Sequence, residues 1–138
     1  MNKTFIYEIN KDNFEAAGEA SSAFKNELKK LELSADVIRR AAISMYEAEI
    51  NMFLHANGGT ITAEIDTSKI RILCSDNGPG IKDVDKALTE GFSTADDSIR
   101  SLGFGAGMGL PNIKRYADEF KIESEEGVGT RLYITINL

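Results

Sequence analysis

The chain holds one cysteine, Cys74, and one histidine, His55. A lone cysteine excludes an internal disulfide framework and a multi-cysteine zinc centre, and a lone histidine excludes a histidine-rich metal site. No apolar run reaches the ~18 residues that suggest a membrane span. Residues 1–9 alternate like a strand and lack the apolar middle of a signal peptide, so the expected compartment is the cytoplasm. Basic residues are few, 16 Lys and Arg against 22 Asp and Glu, for a net charge of −6. That balance argues against nucleic acid as a partner, because such binding needs a basic face. An anionic ligand then needs local help from backbone N–H groups, a metal ion or a few placed cations. Internal repeats and linker-like stretches are also missing. With 138 residues, 42% of them hydrophobic and 28% charged, the expectation is one globular domain over 1–138.

What is there reads as alternating strands and amphipathic helices. Phe5, Tyr7 and Ile9 mark a short strand over 4–9. Asp12 followed by Glu15 has the form of a capping box opening a helix, and Phe14, Ala17, Ser21, Phe24, Leu28 and Leu31 give that helix one buried stripe. Ser34 can cap a second helix, roughly 35–56, that is apolar nearly all round and hence mostly buried. Glu47 interrupts its stripe of Ile43, Ile50 and Leu54, and Asn51 follows one turn later. Asn57-Gly-Gly59 ends this helix. Strands are expected at 60–65 and 69–74, a short helix at 83–88, and a loop over 90–106. A helix over 110–118 with Pro111 in its first turn is followed by strands near 119–125 and 130–137.

Three features carry chemistry. Gly103, Gly105, Gly107 and Gly109 alternate just before a helix. Such glycines let a backbone approach a ligand closely, and the N–H groups of a helix start favour an anion, naturally a phosphate chain. A plain flexible loop is the alternative. The run lacks the Gly-Lys-Ser/Thr ending of a Walker A loop and does not follow a strand directly. Asp76-Asn-Gly-Pro-Gly80 reads as a turn, or as a carboxylate at a strand end that accepts from an exocyclic amino group such as that of adenine. Glu47 and Asn51 are costly in a buried helix unless paired or coordinating something. They form either an internal polar network, or a base beside an amide oxygen able to ligate a hard cation such as Mg²⁺. Cys74 reads as strand core, His55 as serving the helix end, and Glu49, half a turn from Glu47, as a solvated or paired carboxylate.

Taken together and in this order, the three features resemble the GHKL superfamily of ATPases and kinases, which share the Bergerat fold. Its N box reads here Glu47-Ala-Glu-Ile-Asn51, its first glycine box Asp76-Asn-Gly-Pro-Gly80, and its second Gly105-Ala-Gly-Met-Gly109. Gly127-Val-Gly-Thr130 is similar to the family's closing Gly-Thr element. Glu90-Gly-Phe-Ser-Thr94, Gly109-Leu-Pro-Asn-Ile-Lys-Arg115 and Asp118-Glu-Phe120 resemble the small bacterial serine/threonine kinases that regulate anti-sigma and stressosome pathways.

The resemblance implies an α+β two-layer sandwich, a mixed and mostly antiparallel sheet covered by helices on one face. It implies ATP and Mg²⁺ as cofactors. Asp76 would accept from the adenine amino group, Gly80 would let adenine approach the backbone, and Thr130 would support that site. Gly78, Ile81 and Met108 would complete the nucleotide contacts. Asn51 would hold Mg²⁺, Gly105, Gly107 and Gly109 would cradle the phosphates, and residues 90–106 would form the ATP lid. Arg100 in the lid is a phosphate contact or a solvated surface charge. Glu47 would orient or deprotonate an attacking hydroxyl. The implied activity is transfer of the ATP γ-phosphoryl group to a partner protein, most readily a STAS-domain protein. A nucleotide-gated binding regulator without catalysis, or a slow ATPase, are the alternatives. A homodimer is expected through the edge strand at 4–9 and the exposed face of the first helix.

Overall fold

A computed structural model describes residues 2–10, 12–55, 58–80 and 109–138; the side chains of Phe14 and His55 lie outside that description. The strands are β1 (Lys3–Ile9), β2 (Gly59–Ile65), β3 (Lys69–Asp76), β4 (Glu119–Glu125) and β5 (Gly129–Asn137). The helices are α1 (Glu19–Lys29), α2 (Ala35–His55) and α3 (Gly109–Tyr116). The strands form one sheet in the order β1-β2-β3-β5-β4. All four pairings among the described residues are antiparallel. The fold is α+β, as expected. The expected helix at 83–88 and the lid at 90–106 lie outside the described residues.

Alternation explains the layering. Successive strand side chains point to opposite faces, so the β-branched positions of each strand gather on one side. Tyr7, Ile61, Cys74, Leu132 and Ile122 form one row across the sheet, and Phe5, Ala63, Ile72, Ile134 and Phe120 the next. Both rows join the core together with Phe24 and Leu28 of α1, Met45 and Met52 of α2, and Ile113 of α3. Each such buried side chain contributes roughly 1.5–3 kcal/mol relative to exposure. The following row reads Ile9, Gly59, Asp76, Thr130 and Ser124. There the inward face turns polar, at one end of the sheet.

The helices differ from expectation at one point. Ser34 does cap α2, its Oγ accepting the Val37 N–H at 3.2 Å. The Asp12/Glu15 pair, however, does not open α1. Residues 14–16 form a single 3-10 turn, and α1 starts at Glu19 behind Gly18, whose φ of +96° is left-handed and which has no capping side chain of its own. The cap comes from α2. Glu49 is 1% exposed. Its Oε2 accepts the N–H groups of Gly18 and Ala20, and its Oε1 that of Ser21, each at 3.1 Å. The amides left free by a helix start thus satisfy a carboxylate that has no cation beside it among the described residues, and the helix dipole favours that charge. Glu49 is the paired carboxylate of the two alternatives.

Hydrogen bonds to a buried charge are worth about 1.5–3 kcal/mol each. Glu49→Gln places an NH₂ group against donors. Urea unfolding is expected to register a loss of about 3 kcal/mol or more. A stability within experimental error of the parent would show that the amides find another partner.

Candidate functional site

The site is assembled from α2, α3 and the polar end of the sheet. On a helix turning ~100° per residue, Glu47 and Asn51 lie about 40° apart and Glu49 lies on the opposite side. Glu49 therefore faces α1, and Glu47 and Asn51 share the side that meets α3. Three ties hold that meeting in register. The first residue of α3, Gly109, packs so closely on Asn51 that a Cβ there would sit 3.1 Å from both Asn51 side-chain polar atoms. One turn on, Asn112 Nδ2 donates to Glu47 Oε1 at 3.4 Å. At the far end, Arg40 Nε donates to the Tyr116 carbonyl at 2.9 Å, and its guanidinium pairs with Asp118 at 2.9 Å.

Asn51 is half-buried, and its side chain makes no hydrogen bond within the described residues. An amide oxygen in that position is a hard donor suited to Mg²⁺. Among the described residues no group of three or more His, Cys, Asp or Glu could hold a metal ion by itself. A cation here fits only if its remaining ligands are water and phosphate, the usual arrangement for Mg²⁺. Glu47 is half-buried as well. Burial pushes its carboxyl above the ordinary value, and the Asn112 hydrogen bond opposes this in part. Its Oε2 meets no donor among the described residues, so a basic oxygen is left toward the site.

Asp76 continues the inward-facing set of β3 after Ile72 and Cys74. Its Oδ1 accepts the Gly78 N–H at 2.9 Å and the Thr130 N–H at 3.3 Å. No donor among the described residues reaches Oδ2. The first glycine box is thus a turn, and the turn aims a free acceptor. Thr130 is buried and its Oγ1 lies 2.9 Å from Ser124 Oγ. Gly80 has a φ of +78°, and a Cβ there would overlap the Glu125 carbonyl oxygen; at Gly129, φ +146°, it would overlap that of Asp76. Gly127 N–H donates to the Pro79 carbonyl at 2.7 Å. These contacts clamp the first glycine box to the β4–β5 turn. Met52, next to Asn51, reaches toward Gly59 beside Asp76, which joins the two halves of the site.

Of the residues expected from sequence, Asn51 meets Gly109, Glu47 meets Asn112 on the same helix as Gly109, and Asp76 meets Gly78 and Thr130. Ile81, Arg100, Gly105, Gly107 and Met108 lie outside the described residues. Cys74 is strand core: burial, with the Asp76 and Glu49 carboxylates nearby, pushes its thiol up to about 12. Sequence reasoning misses Asn112, Arg40 and Ser124. Asn112 has a signal, a polar residue one turn into the glycine-started helix; Arg40 and Ser124 have none, since nothing in the residue pattern marks their partners.

Comparison with known proteins gives the family. Residues 37–138 match the family described as histidine kinase-, DNA gyrase B- and HSP90-like ATPases. The chain belongs to that family. It is 36% identical over 107 residues to the serine/threonine-protein kinase RsbT of Bacillus subtilis (strain 168), covering 73% of this chain and 74% of that protein. It is 30% identical over 138 residues to the anti-sigma F factor of Clostridium novyi (strain NT), covering 96% and 90%. With the anti-sigma F factor of Caldanaerobacter subterraneus subsp. tengcongensis it shares 36% identity over 110 residues, covering 76% and 71%.

Asp76→Asn keeps an oxygen for Gly78 and Thr130 and turns the free acceptor into a donor. ATP affinity is expected to fall about 10-fold or more, the equivalent of one lost hydrogen bond, with an unchanged circular dichroism spectrum. ATP affinity equal to that of the parent would remove Asp76 from base recognition.

Proposed function

We propose that this protein is an ATP-dependent serine/threonine kinase of the anti-sigma regulatory type, acting on a protein partner. One observation carries the reading: a half-buried carboxylate, Glu47, with one oxygen free among the described residues, stands one turn from the Asn51 amide, which has no partner among them, at the start of the glycine-led helix. Similarity to a serine/threonine-protein kinase and to anti-sigma F factors supports it.

On this reading Asp76 selects adenine through Oδ2, and Thr130 and the Gly78–Gly80 turn shape the base site. Asn51 supplies the protein's oxygen to Mg²⁺, which would neutralise phosphate charge when bound. Gly109 and the glycines at 105 and 107 receive the phosphates, with Ile81, Arg100 and Met108 as further nucleotide contacts and 90–106 as the lid. The acceptor hydroxyl attacks the γ-phosphorus as the bond to the β–γ bridging oxygen breaks. ADP leaves, and Glu47 takes the hydroxyl proton. Positioning and charge stabilisation supply most of the acceleration. The whole chain acts as one domain in the cytoplasm.

The partner is a sigma-pathway regulator, a STAS-domain protein being the best fit to the kinase reading. Ile6, 64% exposed at the centre of the edge strand β1, supports a homodimer formed by strand addition. The name anti-sigma F factor on several relatives favours a second reading, in which nucleotide gates partner binding without transfer.

Glu47→Gln separates the two. A carboxyl held above 4.5 by burial binds its proton more tightly folded than unfolded. Its ionisation therefore costs stability, and that cost grows as the pH rises from about 4.5 through the folded value. The Gln variant is expected to melt higher than the parent at pH 7, with the gap closing below pH 4.5. In native cell extract with γ-labelled ATP and Mg²⁺, the parent should add a labelled protein band that the variant does not. A band of equal strength with both would dismiss Glu47 as the base. No band with either, despite nucleotide binding by both, would favour the gated regulator.

A further inference from the structure

Asn112 lies outside the N box and the two glycine boxes and takes no role of its own from them, yet its place in the fold gives it one. It lies on the first turn of α3, three residues after Gly109, and faces α2. Its Nδ2 reaches Oε1 of Glu47 and leaves Oε2 without a donor among the described residues. Ile113 beside it is fully buried and fixes the rotation of α3 about its axis. Arg40 fixes the helix's other end through the Tyr116 carbonyl and Asp118. Gly109 meets Asn51 closely enough to fix its start. The Asn112 amide is thus held at three points around it.

We infer that Asn112 is the positioning residue for Glu47: it grips one carboxylate oxygen and presents the other to the acceptor hydroxyl. This rests on the kinase reading above. The consequence is specific to the architecture. The helix that begins at the phosphate-binding glycines also carries the group that aims the base. A carboxylate on a two-carbon stem is otherwise free to rotate away, and a misplacement of about 1 Å can cost on the order of 100-fold in rate. Linking base and phosphate site through one rigid helix keeps the distance between proton acceptor and γ-phosphorus fixed. Asn suits the task because its NH₂ group donates and carries no charge, so Glu47 is oriented without being neutralised by a cation.

Two measurements test it. The first needs no activity. In a ¹⁵N side-chain amide spectrum of the full chain, one Asn112 Nδ2 proton is expected to move upfield in Glu47→Ala, reporting loss of its acceptor; unmoved resonances would overturn the contact. The second is kinetic. Asn112→Asp has the same shape but sets an acceptor against the carboxylate. It is expected to lower kcat about 10- to 100-fold while the Kd for Mg·ATP and the acceptor KM stay within about twofold. Asn112→Gln, which keeps a donor, is expected to recover most of the loss. An unchanged kcat in Asn112→Asp, or a fall matched by lost ATP affinity, would overturn the assignment. Failure of the kinase reading looks different: the parent itself transfers nothing, while the amide resonance still responds to Glu47→Ala, and Asn112 is then a helix–helix contact only.

Discussion

A buried carboxylate, held by backbone amides and with no cation beside it among the described residues, organises the helical layer. Glu49 is enclosed where α2 meets α1, and its charge is answered by three backbone amides at the start of α1. An isolated charge at that depth would be prohibitive. Converging N–H groups at a helix start, with the dipole behind them, make it tolerable. The bond fixes α1 on α2 and fixes the rotation of α2 about its own axis. Because Glu47 and Asn51 sit on the other side of α2, their direction toward α3 follows from where Glu49 is held. Gly18 belongs to the same device: its left-handed backbone turns the chain into α1, and a Cβ there would come within 3.4 Å of the Tyr46 ring.

A second constraint sets the floor of the site. The alternation that buries Ile70, Ile72 and Cys74 along β3 continues to Asp76, where an apolar residue would extend the core. Glycine on both neighbouring strands, Gly59 and Gly129, lets the three backbones approach around that carboxylate. Asp76 then commits one oxygen to local amides and keeps the other. The core thus stops where the ligand floor begins, and the same strand pattern produces both. The membership of the chain in a family of ATPases gives this polar end its meaning, and Glu47 is the residue proposed to add chemistry to binding there.

Much of this is legible in the amino-acid sequence. Strands 60–65, 69–74 and 130–137 are dense in β-branched residues at period two, so their bounds emerge almost to the residue. Ser34 announces α2 because a hydroxyl before a helical stripe has one obvious use. The Asp12/Glu15 signal misleads for an instructive reason. A local capping box competes with a cap supplied from another helix, and the tertiary cap wins because it also satisfies a buried charge. Sequence leaves Glu49 either solvated or paired, and only the packing of α1 decides that it is enclosed. The pairing of Arg40 is illegible because it depends on how α3 settles against α2, and the polar signal of Asn112, one turn into α3, does not name its partner.

Asp76, Asn51 and Glu47 are proposed to serve one bound nucleotide in that spatial order: base, metal and reacting phosphate. A crystal structure of the chain with Mg²⁺ and a non-hydrolysable ATP analogue tests this most directly. The adenine amino group is expected on Asp76, the metal on Asn51, and the γ-phosphate facing Glu47 with room for one hydroxyl between them. A nucleotide seated on Asp76 whose γ-phosphate points away from Glu47, or a metal bound without Asn51, would contradict it.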